Sequence, residues 1–168
     1  MDNLIVFNNV SKEYTVGDTK FYALKDVNLE IKRGEFVVIL GPSGAGKSTM
    51  LNLMGGMDKV TSGTITIDNE VISDYSDSKL TKYRAEKVGF IFQFYNILPT
   101  LTVFENVELV KEIVKKPKSA RTVLKDVGLE KQMNKFPNQL SGGEQQRVSI
   151  ARAIAKDPSL ILADEPTG

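Results

Sequence analysis

An α/β fold is what this sequence predicts, and three observations predict it. Short apolar, strand-like runs alternate with helical patterns along the chain. The run Phe36–Leu40, bounded by Gly34 and Gly41, leads straight into a glycine-rich loop and then a helix. The run Leu160–Ala163 ends in two adjacent acids. Brief apolar stretches between turn residues are how strands buried on both faces of a parallel sheet read, and their alternation with helices sets the class.

Each element follows in order. Leu4–Phe7, Phe21–Ile31 and Thr64–Ile67 are rich in β-branched and aromatic residues and read as strands. Gly17-Asp18, Ser62-Gly63 and Asp68-Asn69 punctuate them. Phe36–Leu40 is the strand before the loop, and Ser48–Met54 the helix after it. Val88–Phe92 is a further, less strict strand candidate. From Phe104 to Gln139 the period changes. Glu105–Val114 and Ala120–Val127 read as short helices, with Pro117 and Pro137 as breaks, and a longer helical pattern runs from Val148 to Lys156.

Composition narrows the chemistry. A length of 168 residues suits one domain, at about 100–200 residues per domain. The longest apolar run, Phe36–Leu40, is far below the ~18 residues of a membrane span. The N-terminus has no basic region and no long apolar stretch, so no secretory signal is expected. The absence of cysteine and histidine excludes disulfides, thiolate or imidazole metal sites and His-dependent catalytic triads. Lys plus Arg (22) nearly balance Asp plus Glu (21), so no basic footprint for nucleic acid is expected. The local run Lys111–Lys125, six basic residues against one acid, reads first as a solvated helix face and loop. What remains is a cytoplasmic domain working with carboxylates, hydroxyls, lysine and backbone amides.

Gly41-Pro42-Ser43-Gly44-Ala45-Gly46-Lys47-Ser48-Thr49 matches G-x-x-x-x-G-K-[ST] in full, between a strand and a helix. Its glycines let successive N–H groups point inward as an anion nest at a helix N-terminus. Lys47 can reach β- and γ-phosphates, and the Ser48 hydroxyl suits Mg²⁺, so a nucleoside triphosphate is the expected ligand. Asp164, at the end of an apolar strand, is the candidate for the Mg²⁺ shell. Glu165 follows it, where it can polarise a water for in-line attack. In Leu140-Ser141-Gly142-Gly143-Glu144-Gln145-Gln146-Arg147, Ser141 and Glu144 form a capping box that needs no ligand. Gly142 and Gly143 are what capping leaves unexplained, and they suggest a second anion site. Spacing alone leaves open whether both sites face one phosphate.

Gly41–Thr49, Gln93, Leu140–Arg147 and Ile161–Glu165, in this order, resemble the nucleotide-binding subunit of an ATP-binding-cassette (ABC) transporter. The resemblance runs from Val10 to Gly168. It implies a P-loop NTPase (RecA-like) core with an N-terminal antiparallel β subdomain and an inserted helical subdomain. Residues 1–93 and 141–168 would form the β subdomain and ATP-binding core, and 94–140 the helical subdomain. It implies that Tyr14 stacks on adenine and that Gln93 contacts Mg²⁺ and the attacking water. Ser141, Gly142 and Gly143 would complete the γ-phosphate site of the partner in a head-to-tail homodimer. The cofactors implied are ATP and Mg²⁺, and the partner is a separate membrane permease, with the subunit peripheral on the inner face of the membrane. Leu53–Asp58, Ile91–Pro99 and Asp164–Gly168 look most like ATPases of lipoprotein-releasing, macrolide-export and antimicrobial-peptide-resistance systems.

The chain ends at Gly168 and has no histidine, whereas the family's pattern continues through further strands and a switch histidine. A piece of a longer subunit is therefore expected, with the C-terminal part of the core absent. Two other readings stay open: a soluble cassette ATPase acting on nucleic acid or ribosomes, and a cassette that binds ATP without turnover. Against the first, Lys47 and Ser141 lie 94 positions apart with no sustained heptads between them.

Overall fold

A computed structural model describes residues 2–165. The chain separates into two compact units, Met1–Thr81 and Lys82–Gly168, each described here by itself.

The first unit is built on an antiparallel hairpin. Strands β1 (Asn3–Val16) and β2 (Thr19–Lys32) are joined at Gly17-Asp18, with Val16 opposite Thr19. β1 runs beyond its apolar start because β2 and β3 (Ser62–Ile67) pair on its two edges. The short β4 (Glu70–Val71) completes the order β2-β1-β3-β4. Register shifts interrupt β1 near Asn9, which takes a left-handed φ of 48°. There the buried Ser11 hydroxyl donates to Asp26 Oδ1 and accepts from the Asp26 amide, so the irregularity leaves no orphaned polar group. Leu4, Ile5, Phe7, Val10, Ile65 and Ile67 form the buried face. Helix α1 (Lys47–Met54) buries Leu53 and Met54.

Helix α2 (Asp77–Lys87) crosses from one unit to the other and was not expected from the sequence. Its residues are mostly polar, and only Leu80 and Tyr83, one turn apart, are buried. So thin an apolar stripe gives little periodic signal.

The second unit pairs β5 (Val88–Ile91) and β6 (Leu160–Ala163) in parallel, with Val88 opposite Leu160 and Ile91 opposite Ala163. Around them lie α3 (Val103–Glu108), α4 (Ala120–Asp126) and α5 (Gly142–Ala155). Val103, Val107, Val123, Leu124, Leu129 and Val148 are buried in one apolar cluster. The expected helix Glu105–Val114 instead starts at Val103. Thr102 and Glu105 make a full capping box, and the run tightens into a 3-10 turn at Leu109–Glu112.

One expectation is overturned. Phe36–Leu40 is not a doubly covered strand: it belongs to neither sheet, and Phe36 and Leu40 are 93% and 87% exposed. A buried strand needs hydrogen-bonded neighbours and packed faces. Among the described residues the parallel pair is completed by β5 and β6, and this run has no strand partner.

Candidate active site

The glycine-rich loop has the geometry of an anion cradle. Gly46 takes φ 85° in the left-handed region and caps α1 without any side-chain hydrogen bond. The Met50 amide returns to Gly46 O at 2.9 Å, so the amides before it are not spent inside the helix. No acid occupies the first turn. A Cβ at Gly46 would lie 2.5 Å from Ala23 O, so the loop crosses β2 at a distance that only glycine permits. Lys47 folds back over the loop, its Nζ donating to Gly41 O and Pro42 O at 2.9 Å each. Ala45 N closes the turn on Pro42 O. Ser43, Gly44 and Ser48 are exposed around this opening, and Thr49 is half-buried.

Tyr14 lies in the same unit, half-buried on β1. Its hydroxyl donates to Asp58 Oδ2 at 2.7 Å. Burial and the Asp58 hydrogen bond both raise the Tyr14 phenol above its ordinary value. Lys12 Nζ stands 4.8 Å from the ring centroid, and the Phe21 ring lies tilted at 5.9 Å. Asp58 is the residue that sequence reasoning missed. Burial disfavours its charged form, but hydrogen bonds from Lys12, Tyr14 and the Lys59 amide, with the Lys12 charge, outweigh that and lower its pKa.

In the second unit the parallel pairing brings Gln93 and the two acids to one sheet edge. Ile91 and Ala163 are partners at the C-terminal ends of β5 and β6, and the Asp164 amide donates to Ile91 O at 3.0 Å. Gln93 and Glu165 are exposed, and Asp164 is half-buried. Glu165 holds a left-handed φ of 45°, an unusual conformation for a non-glycine residue and one that recurs at functional sites. Carboxyl ends of strands are where open α/β sheets bind ligands. The loop after Gln93 is organised by the buried Asn106, another residue the sequence did not single out. Its side chain accepts from Leu98 N and donates to the carbonyls of Leu98, Leu101 and Thr102.

The Ser-Gly-Gly segment opens α5 itself. The Ser141 hydroxyl accepts from Glu144 N, and Glu144 Oε2 accepts from Ser141 N at 2.8 Å. The Ser141 amide, and then the Ser141 hydroxyl, lower the Glu144 carboxyl below its ordinary value. The capping box therefore forms in full, and Gly142 and Gly143 occupy the first turn beside it. Gly143 has open space where a Cβ would go, whereas at Gly142 a Cβ would meet the Tyr95 hydroxyl at 2.9 Å.

The donor set suits Mg²⁺: a hydroxyl (Ser48), a carboxylate (Asp164) and a side-chain amide oxygen (Gln93) are all hard oxygen ligands. Among the described residues no three His, Cys, Asp or Glu gather to hold a metal.

An α/β chain whose phosphate loop caps a helix in this way, and which carries two acids at the end of a parallel strand, is a P-loop NTPase. Its family is that of the ABC transporters, which matches residues 24–168, and the chain belongs to it. Among its relatives is an uncharacterised ABC transporter ATP-binding protein, MJ0796, of Methanocaldococcus jannaschii. The two are 52% identical over 98% of this chain and 74% of the relative. Uncharacterised ABC transporter ATP-binding proteins of Thermotoga maritima and Bacillus subtilis (YknY) are 47% and 48% identical, each covered over 74% of its length. The fold is also that of a solved dimer of the MJ0796 cassette in a post-hydrolysis state with ADP and Pi. There the TM-score is 0.85 at 51% identity, over 97% of this chain and 74% of the other.

Proposed function

We propose that this chain is the ATP-binding and ATP-hydrolysing subunit of an ABC transporter, driving a separate membrane permease. The observation that carries this is the phosphate loop: a left-handed glycine caps α1 without a side chain, and Lys47 is folded over the loop carbonyls. Lys47 exchanges those carbonyls for the β- and γ-phosphates, while the amides of residues 46–49 take the remaining oxygens. Ser48 and Asp164 would hold Mg²⁺, which when bound would supply charge compensation for the phosphates. Glu165 orients a water and accepts its proton at the carboxylate as the oxygen attacks in line, and Gln93 holds the same water from the neighbouring strand end. Positioning and electrostatics carry the rate.

Tyr14 stacks on the adenine. Ser141, Gly142 and Gly143 act across a head-to-tail homodimer, where the uncapped glycine amides meet the partner's γ-phosphate. The solved MJ0796 cassettes are dimeric, which supports this arrangement. Residues 1–93 and 141–168 supply the β subdomain and ATP-binding core, and 94–140 the helical subdomain that meets the permease. The subunit is cytoplasmic and peripheral on the inner face of the membrane. Among the described residues no helix is long and apolar enough to cross a membrane. The wording around Leu53–Asp58 and Ile91–Pro99 favours the lipoprotein-releasing, macrolide-export and antimicrobial-peptide-resistance group.

Thermal unfolding with and without saturating Mg-ATP tests the reading. Ligand at 100-fold over its Kd adds about 2.7 kcal/mol, or roughly 5–11 °C in melting temperature for a domain of this size. No shift at millimolar Mg-ATP would overturn it.

A further inference from the structure

We propose that Asp58 is a positioning residue for nucleotide: it locks the Tyr14 ring against the helix that carries the phosphate loop. The inference rests on Tyr14 being the adenine platform. It adds that the platform's orientation is set by a carboxylate outside the phosphate-loop, strand-end and Ser-Gly-Gly motifs.

The contacts around the phenol argue for this. The Tyr14 hydroxyl donates to Asp58 Oδ2 at 2.7 Å. Asp58 follows the last turn of the same helix, where the chain folds back so that the amides of Met57 and Asp58 donate to Asn52 O. The helix that presents the phosphate-binding amides is thus tied to the phenol through Asp58.

Asp58 also commands the cation over the ring. Lys12 Nζ donates to Asp58 Oδ1 at 2.6 Å and to Lys59 O at 2.8 Å, and stands 4.8 Å from the Tyr14 centroid. The Lys59 amide donates to Asp58 Oδ1 at 2.7 Å. Three donors on one half-buried carboxylate are more than a solvent-facing ion pair needs. A strand tyrosine released from them swings about its χ angles, and stacking tolerates little tilt of the ring.

The test compares binding of Mg-ATP with Mg-tripolyphosphate, which lacks base and sugar, in the intact protein. Tyr14→Ala establishes the platform and should weaken ATP but not tripolyphosphate. Asp58→Ala and Tyr14→Phe should each weaken ATP by about three- to tenfold, part of one base–aromatic stack. Tripolyphosphate affinity should stay unchanged in both, and the double variant should be no weaker than either single one. If Asp58→Ala fails to fold, Tyr14→Phe, which removes only the hydroxyl, and Asp58→Asn carry the comparison. Normal ATP binding in those variants, beside a base-dependent loss in Tyr14→Ala, overturns the role of Asp58 and leaves the platform standing. Equal losses for ATP and tripolyphosphate make Asp58 merely structural and also overturn it. An unchanged ratio in Tyr14→Ala removes the platform itself, and the proposal with it.

Discussion

Alanine at Gly46 and at Gly44 should behave differently although both glycines sit in one loop with nearly the same backbone, φ 85° and 78°. A left-handed φ costs an L-residue about 1–2 kcal/mol wherever it occurs. At Gly44 nothing lies within 4 Å of the new Cβ, so that penalty is the whole effect. At Gly46 the Cβ would stand 2.5 Å from Ala23 O and 2.9 Å from Leu24 Cδ2. Both belong to β2, which its pairing with β1 holds in place, so the loop has to give. Overpacking of that kind adds about 1–3 kcal/mol. Melting temperatures without nucleotide should fall by roughly 2–8 °C for Gly44→Ala and roughly 4–20 °C for Gly46→Ala. Because the displaced loop carries the cap of α1, Gly46→Ala should also lose the upward shift given by Mg-ATP. Differential scanning fluorimetry with and without Mg-ATP reads both quantities. Equal losses in the two variants, or a full nucleotide shift in Gly46→Ala, would falsify the account of how β2 shapes the cradle.

Glu165→Gln should keep Mg-ATP binding and lose turnover by about 10²–10⁴-fold, measured as phosphate release by the intact protein; undiminished hydrolysis removes Glu165 from the mechanism. Glu144 is held below its ordinary value of 4.5, so its cap contributes fully above that value and is lost as pH falls through the lower folded value. The urea midpoint of Glu144→Gln should therefore trail the wild type at pH 7 and meet it at strongly acidic pH; a constant gap would count against the box. Gly142→Ala should destabilise through the Tyr95 hydroxyl at 2.9 Å, and Tyr95→Phe in the same chain should restore most of the loss. If the double variant melts no higher than Gly142→Ala alone, that contact is not the cause.

Much of this protein was legible in the order of its residues, because some motifs are short-range physics. The phosphate loop carries its own glycines, its own lysine and the helix start it needs within nine positions, Gly41 to Thr49. Ser141 and Glu144 cap α5 across three residues, as their types and spacing require. Asp164 and Glu165 could be picked out by type and place, and Gln93 through the family resemblance. Their gathering at one sheet edge came only with the parallel register of β5 on β6, which spacing along the chain does not encode.

The run Phe36–Leu40 shows the limit most plainly. Its composition describes a strand buried on both faces, but a strand exists by its neighbours, and among the described residues it has none. Helix α2 was silent for the opposite reason: it buries only Leu80 and Tyr83, so its polar sequence shows no stripe. Asp58 and Asn106 were given no role from the sequence because their work is long-range or buried. One clasps a tyrosine 44 positions away, and the other threads a loop from inside the core. Residue types and local spacing determined which chemistry this chain carries and where its helices begin. Which strand lies beside which, and which side chain holds another still, was decided by tertiary packing, because those contacts join residues far apart in sequence and are fixed only when the layers close.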